Sequence, residues 1–267
     1  MKSIYSELLE LAEGGREGVL VTVVEKEGSG PAVSGTKMIV HPGGAVSGTV
    51  GGGTIEKLAI RKALHILASH ENATETYSMD EPGPGTDTGM LCGGKATLFF
   101  EYFAAKKHVY IFGAGHIGAA LVYHLSKLNF HITVIDDRED VLAELRGADE
   151  KIHAPFEKAL EGREVARDGY FIIATYQHAF DGAVLNRIYS MDWNPKYVGM
   201  VSSRKKRRTL MDALKREVPG ADLKSCHIPV GLDIGGSLPH EIAISIVSEM
   251  QAVANGKKAY HLREDHG

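Results

Sequence analysis

Residues 108–136 read HVYIFGAGHIGAALVYHLSKLNFHITVID. The pattern predicts a buried strand, a glycine-rich turn, a helix that begins at the turn, and a second strand. Gly113 permits the tight turn, Gly115 lets a pyrophosphate approach the backbone, and Gly118 lets the helix pack closely on the strand. The free N–H groups of the helix N-terminus favour a phosphate at this place. The stretch therefore predicts a Rossmann-type βαβ unit.

The residues around this turn leave the choice of nucleotide open. Asp136 ends the second strand, 23 positions after Gly113, where a carboxylate accepts hydrogen bonds from ribose hydroxyls and favours an unphosphorylated ribose. Arg138 follows two positions later and suits a 2′-phosphate, so NAD, NADP and another nucleotide all remain candidates. His116, inside the turn, is a further candidate ligand contact. The structural alternative is a nucleotide fold that binds no dinucleotide, because fold does not determine function.

The pattern around this unit predicts an α/β protein of two domains. Strands and helices alternate after residue 108, which predicts βαβ crossovers and a mostly parallel sheet. Before the polar break at 104–107, a helix, several strands and a hairpin predict a mixed α/β domain. The predicted domains are an N-terminal mixed α/β domain at 1–104, a Rossmann-type parallel-sheet domain with a C-terminal helix at 108–256, and a tail at 257–267.

The composition excludes several classes of protein. The chain has 267 residues, 43% of them hydrophobic, and a formal net charge of −4, so neither wholesale disorder nor nucleic-acid binding is expected. Cys92 and Cys226 are its two cysteines, which excludes a disulfide scaffold and fits a reducing compartment. No run of about 18 apolar residues predicts a membrane span, and the polar N-terminus is unlike a signal peptide. We therefore expect a cytoplasmic protein.

Glycine is the unusual residue, with 31 copies, and three clusters at 28–35, 48–53 and 83–94 precede the Rossmann-type unit. In such segments backbone N–H groups can turn toward an anion, and glycine permits close approach of a large ligand. Turn formation alone is the structural alternative for each cluster. Thr54 follows the second cluster and is predicted to be the N-cap of the next helix.

Eight motifs carry a family resemblance, and they span about residues 15–255 in a fixed order. They are EKEGSGPAVSGTKMIV, GTVGGGTIE, MLCGGKATLFFE, YIFGAGHIG, VIDDRED, ATYQHAFD, YVGMVSSRKKR and IPVGLDIGGSLPHEIAISI. In this pattern the chain resembles the xanthine dehydrogenase accessory protein family, XdhC/CoxI. The resemblance implies an N-terminal α/β domain followed by a Rossmann domain. It also implies a chaperone that binds molybdopterin-type cofactor, assists the exchange of a molybdenum oxo ligand for sulfur, and delivers the cofactor to a xanthine dehydrogenase-type apoenzyme.

The resemblance also implies site residues in the N-terminal domain. The Cys-Gly-Gly element maps to Cys92, Gly93 and Gly94, where a thiolate suits molybdenum or carries sulfur. A small buried side chain is the structural alternative for this cysteine. The family's glycine-rich element with its trailing glutamate maps to a second set of cofactor-binding candidates: Gly51, Gly52, Gly53 and Glu56. Relatives often carry a cysteine at the position of Thr54, so the threonine puts a two-cysteine mechanism in doubt.

Further candidates follow strands of the second domain, where ligands of open α/β sheets bind. His178 and Asp181 form a pair after the strand GYFIIAT that could bind a metal, move a proton or cap the helix. We take His178, with Cys92, as a catalytic candidate. Ser203 and Arg204 match the family's Ser-Arg pair and suit a phosphate or carboxylate. Asp233 lies in the last glycine-rich loop and is a further cofactor-binding candidate; no metal site is expected.

The resemblance thus implies a chaperone of the molybdenum cofactor rather than a turnover enzyme, and no catalytic triad is visible in the sequence. The alternatives are an NAD(P)-binding oxidoreductase and a non-catalytic regulatory module that binds a nucleotide. The expected partners are a xanthine dehydrogenase-type apoenzyme, a cysteine desulfurase as sulfur source, and a second copy of the chain, because two-fold dimers are the commonest assembly.

Overall fold

The computed structural model describes residues 3–78, 94–191 and 193–263, except the side chain of His178. Its chain divides into two compact units between Lys106 and Lys107. Cys92 and Gly93, two of the predicted site residues, lie outside the described residues. No helix in the described ranges combines the length and the apolar character needed to cross a bilayer.

The N-terminal unit is an antiparallel sheet with a helix on each face. The sheet has the order β3-β2-β1-β5-β4. Side chains alternate along β1, so that Val19 and Val21 pack with Ile55 of α2 on one face, while Leu20 packs with Leu11 of α1 on the other. The elements are α1 (Ile4–Glu13), β1 (Gly18–Gly28), β2 (Lys37–Val40), β3 (Val46–Gly48), α2 (Gly53–Ser69), β4 (Ala73–Ser78) and β5 (Gly94–Phe103).

The start of α2 corrects one prediction. Thr54 is not the N-cap, because α2 begins at Gly53 and its N-cap is Gly52, whose φ is +73°. Gly51 and Gly53 also have positive φ, at +126° and +61°. Such angles suit glycine and strain other residues. The backbone therefore enters the helix through three left-handed glycines, and Thr54 falls inside the first turn.

The C-terminal unit is a parallel sheet covered by helices on both faces, which confirms the predicted α/β class. The sheet order is β11-β10-β9-β6-β7-β8, and every neighbouring pair is parallel. This is the order of a Rossmann fold, with its topological switch point between β6 and β9. The elements are β6 (Lys107–Phe112), α3 (His116–Leu125), β7 (Phe130–Asp136), α4 (Glu139–Glu144), β8 (Glu150–His153), β9 (Tyr170–Ile173), α5 (His178–Ser190), β10 (Tyr197–Met200), α6 (Arg204–Glu217), β11 (Cys226–His227) and α7 (Pro239–Ala254).

Two hydrophobic cores hold this sheet between its helices. Val109 and Ile111 of β6 face α3 and α7, where Met250 is fully buried. Tyr110 and Phe112 of the same strand point to the opposite face, where α5 and α6 pack. Alternate side chains of each central strand are thus buried on both faces, as expected for a parallel sheet. This packing fixes the carboxyl ends of β6, β7 and β9, where the candidate site lies.

Candidate functional site

The three glycines of the turn at 113–118 have distinct steric surroundings. A Cβ on Gly113, whose φ is +114°, would lie 2.3 Å from the carbonyl oxygen of Ala174, and one on Gly118 would lie 1.9 Å from that of Gly113. Both positions therefore exclude a side chain. A Cβ on Gly115 would meet no atom within 4 Å. The backbone at Gly115 is thus open to a ligand, whereas the outer two glycines allow the turn and helix to pack closely.

A crevice opens at this turn, outside the carboxyl ends of β6, β7 and β9. Its volume is about 630 Å³. The turn at 114–117 forms one wall, and residues 174–176 after β9 form another. Arg138 and Glu144 contribute charged groups to the lining. In open α/β sheets this is the position at which ligands bind.

Asp136 lies behind the crevice, fully buried, and is held by donors of this chain. One oxygen accepts from the Ala114 N–H at 2.7 Å and from Arg138 Nη2 at 2.8 Å, and the other accepts from the Arg138 N–H at 3.0 Å and Nε at 2.8 Å. A carboxylate offers about four acceptor positions, so all of them are in use. The sequence offers Asp136 as an acceptor for ribose hydroxyls, and in this structure its carboxylate binds the glycine turn and Arg138.

The charge of Asp136 is stabilised by the same contacts. Burial by itself raises the pKa of this carboxyl, but the hydrogen bonds from Arg138 and from the Ala114 N–H outweigh burial and hold the pKa below its usual range. The carboxylate therefore stays ionised near neutral pH. A buried ionised group that lost these partners would be costly, so Arg138 and Asp136 form one unit.

Arg138 lines the crevice, and it is the residue whose presence left the choice between NAD and NADP open in the sequence. Its guanidinium carbon lies 4.3 Å from the centroid of the Tyr176 ring, and its side chain is 35% exposed. The Tyr176 hydroxyl donates to a carboxylate oxygen of Asp137 at 2.9 Å. Sequence reasoning did not identify Tyr176, because an aromatic residue after a strand gives no signal by itself.

The other candidates of this unit lie at the same edge of the sheet. His178 is the first residue of α5, after β9, and Ser203 is the N-cap of α6, after β10. Arg204 forms an ion pair with Asp233 at 2.6 Å, and both side chains are 82% exposed. The structure thus brings two predicted ligand residues into contact with each other. Because both side chains are exposed, either one is accessible to a ligand, and breaking such a pair costs little stability.

A smaller pocket of about 190 Å³ lies beside these residues. Asp181, 4% exposed, accepts a hydrogen bond from Thr175 Oγ at 2.6 Å. The Oγ atom of Ser202 is buried and has no hydrogen-bond partner among the described residues. Lys206, from the first turn of α6, also lines the pocket. The lining thus includes three polar side chains, those of Asp181, Ser202 and Lys206.

In the N-terminal unit the glycine-rich segment at 28–35 lies next to Gly51 and to Gly94, the one described residue of the segment at 83–94. Gly28, at the end of β1, pairs with Gly94, at the start of β5. A Cβ on Gly94 would lie 2.7 Å from the Ser29 carbonyl oxygen, and one on Gly51 would lie 2.8 Å from the Ala32 nitrogen. The backbone around residues 27–32 therefore approaches Gly51 and Gly94 more closely than side chains at those two positions would permit.

Glu56, the predicted cofactor contact in this region, binds its own loop. Its carboxylate accepts hydrogen bonds from the Thr49 hydroxyl and from the Gly52 N–H, the latter at 3.2 Å. The contact brings together two of the predicted residues, Gly52 and Glu56. It also shows that the N–H groups of this loop can bind an anionic oxygen.

A third carboxylate anchors the loop that contains Asp233. Glu249 of α7 accepts from the Gly231 N–H at 2.9 Å and from the Tyr197 hydroxyl at 2.6 Å, and it pairs with His227 at 3.2 Å. Burial alone would raise the pKa of Glu249, but the hydrogen bonds from His227, Tyr197 and Gly231 hold it below its usual range. Sequence reasoning missed this cluster, because its four members lie on α7, β10, β11 and the loop at Gly231. Among the described residues, no group of three or more His, Cys, Asp or Glu side chains could hold a metal ion.

These features define a two-unit α/β protein whose C-terminal unit is a Rossmann-type domain. A family model described as the XdhC Rossmann domain matches residues 109–250, more than half of the chain. The model of the XdhC and CoxI family matches residues 11–78. The chain therefore belongs to the XdhC family.

Curated relatives are similar to parts or most of the chain. The uncharacterized protein YqeB of Escherichia coli K12 is 29% identical over 95% of this chain and 46% of its own length. A probable xanthine dehydrogenase subunit of Bacillus subtilis 168 is 27% identical over 57% of this chain and 44% of its own length. The molybdenum cofactor insertion chaperone PaoD of Escherichia coli K12 is 33% identical over 36% of this chain and 30% of its own length. The chain thus spans less than half the length of each of these relatives.

A solved structure supports the fold. The crystal structure of a xanthine dehydrogenase from Bacillus halodurans matches with a TM-score of 0.54 and 21% identity, over 94% of this chain and 96% of that chain. At this identity the likeness concerns the fold alone.

Proposed function

We propose that this protein binds the molybdenum cofactor as cargo and delivers it to a xanthine dehydrogenase-type apoenzyme. The observation that carries the proposal is the close approach of the glycine-rich segment at 28–35 to Gly51 and to Gly94 at one end of the N-terminal sheet. Backbone N–H groups in such segments can bind anionic oxygens, which the cofactor carries on its phosphate. The XdhC family membership and the names of two relatives support the same role.

The finer steps of this role rest on the family resemblance. Cys92 and Gly93 precede Gly94 directly in the chain, so a thiolate at Cys92 is the proposed sulfur or molybdenum contact. The proposed sulfuration replaces a molybdenum oxo ligand by sulfide, the oxygen leaving as water after it takes up two protons. A cysteine desulfurase is the proposed source of sulfur: it would supply a persulfide, and a thiol reductant would provide the two electrons that cleave the S–S bond and release sulfide. A homodimer is the proposed assembly.

Reconstitution under anaerobic conditions tests the proposal. The purified chain is incubated with molybdenum cofactor released from a molybdoenzyme, separated by gel filtration, and assayed for molybdenum and for the fluorescent oxidation product of the pterin. We expect both to elute with the protein. If neither does, the chain does not carry this cofactor and the proposal fails.

A matched pair of cysteine variants tests the residue assignment. Cys92→Ser removes the proposed sulfur contact, and we expect it to reduce the reactivation of a molybdenum-depleted xanthine dehydrogenase apoenzyme. Cys226→Ser is the control, because the Cys226 thiol is partly buried beside Met211 and its pKa is raised by burial. The assignment is wrong if the two variants reactivate the apoenzyme equally well.

A further inference from the structure

The crevice of the C-terminal unit has the features of a nucleotide site that the maturation role does not use. It lies at the topological switch point between β6 and β9, and its volume of about 630 Å³ is typical of small-molecule sites. At Gly115 the crevice offers open backbone, because a methyl group in place of the glycine hydrogen would meet no atom within 4 Å. The N-terminus of α3 faces this opening and offers N–H groups that have no partner within the helix.

We propose that this crevice binds a dinucleotide whose adenosine ribose carries a 2′-phosphate, with the Arg138 guanidinium as the contact of that phosphate. The inference goes beyond the maturation role and does not depend on it. The diphosphate group of the dinucleotide would lie on the turn at Gly115, and its adenosine ribose would lie at the end of β7, as in other Rossmann folds.

The carboxylate at the end of β7 cannot serve a plain ribose in this structure. All four acceptor positions of Asp136 are filled by the Ala114 N–H, the Arg138 N–H and two guanidinium nitrogens of Arg138. A ribose hydroxyl would have to displace one of these donors. Because Asp136 is fully buried, displacing the guanidinium would leave a buried charge without its partner.

Arg138 is equipped to bind a phosphate instead. Its Nε and Nη2 bind Asp136, while Nη1 and its two N–H groups have no partner among the described residues. A charge-assisted hydrogen bond from a guanidinium to a phosphate is about twice as strong as a neutral one. The centroid of the Tyr176 ring lies 4.3 Å from the guanidinium carbon, a cation–π contact that stabilises the guanidinium at the crevice. Arg138 is the positively charged residue of the lining and Glu144 the acidic one, so the proposed anion contact falls at Arg138.

Calorimetric titration of the full chain with NADPH and with NADH tests the proposal. We expect NADPH to bind about 10-fold more tightly or better, because the 2′-phosphate gains a charge-assisted contact that the hydroxyl lacks. Equal binding, tighter binding of NADH, or binding of neither nucleotide would overturn the proposal. None of these results bears on the molybdenum assay, so the two proposals fail independently.

Variants of Arg138 locate the preference. Arg138→Ala removes the two guanidinium donors and frees two of the four acceptor positions of Asp136, so we expect the preference to turn toward NADH. Arg138→Lys keeps a positive charge beside Asp136 but loses the planar fork, so we expect a smaller preference for NADPH in a folded protein. Arg163→Ala is the matched control, because Arg163 pairs with Glu150 outside the crevice, and it should leave both affinities unchanged. An unaltered preference in Arg138→Lys and Arg138→Ala would remove Arg138 from the site.

Discussion

Gly118→Ala tests the steric role of the glycine turn. The new Cβ would lie 1.9 Å from the Gly113 carbonyl oxygen, more than 1 Å closer than a Cβ normally approaches any atom. The atoms that the Cβ would meet are the backbone oxygen and carbon of Gly113, which cannot rotate away as a side chain could, so α3 and the turn must move apart. Alanine gains up to about 1 kcal/mol of helix propensity over glycine, but overpacking of this severity costs more. We expect a net loss of about 3 kcal/mol, which lowers the Tm of a unit of this size by roughly 6–12 °C.

Urea unfolding followed by the fluorescence of Trp193 measures this loss. Trp193 is the one tryptophan of the chain and stacks on Phe171 at 5.4 Å, so its signal reports on the C-terminal unit. Gly182→Ala in α5 is the matched control, because its Cβ would meet no atom within 4 Å. The control should gain about 0.5–1 kcal/mol from helix propensity. If Gly118→Ala is as stable as the wild type, then the close packing of α3 on the turn does not exclude a side chain at position 118, and the steric argument is wrong.

Close packing and hydrogen bonds elsewhere in the two units yield three further predictions. Gly51→Ala places a methyl group 2.8 Å from a backbone nitrogen at a φ of +126°, so calorimetry should record a loss of about 2–3 kcal/mol in the free energy of unfolding. Gly35→Ala is the control and should lose about 1 kcal/mol, because its φ is +88° but a Cβ there meets no atom within 4 Å. Asp136 has a lowered pKa when folded, so its contribution to stability is complete above the unfolded pKa of about 4 and is lost as the pH falls through the folded value. Urea unfolding between pH 3 and 6 should therefore be less pH-dependent in Asp136→Asn than in the wild type, and equal slopes would contradict this. Tyr197→Phe removes a donor from Glu249 and should cost about 1–2 kcal/mol in the Trp193 assay, whereas an unchanged midpoint would mean that this hydrogen bond does not contribute.

The sequence predicts the C-terminal fold well, because its strand and helix signals are local. The alternation after residue 108 predicts the parallel sheet, and the spacing of Gly113 and Gly118 predicts a close approach that the structure confirms. The strand β11 is not predictable in this way, because two residues carry no periodicity and their pairing with β10 depends on the fold. The helix start at Thr54 was predicted wrongly because N-cap preferences describe side chains, whereas three left-handed glycines set the path of the backbone here.

The candidate site was less predictable, because a carboxylate that binds a ligand and one that binds its own loop have the same chemistry. Asp136 binds the Ala114 N–H of the Rossmann turn, Glu56 binds the Gly52 N–H, and Glu249 binds the Gly231 N–H. Each of these glycine-rich loops is thus held by a carboxylate from elsewhere in its own unit. Glycine lets the N–H groups of a loop converge, and converged N–H groups need an anionic partner whether or not a ligand is bound. The sequence therefore locates the loops that can bind an anion. Only the three-dimensional contacts reveal which N–H groups the chain already occupies and where, as at Gly115, the backbone lies clear of other described atoms.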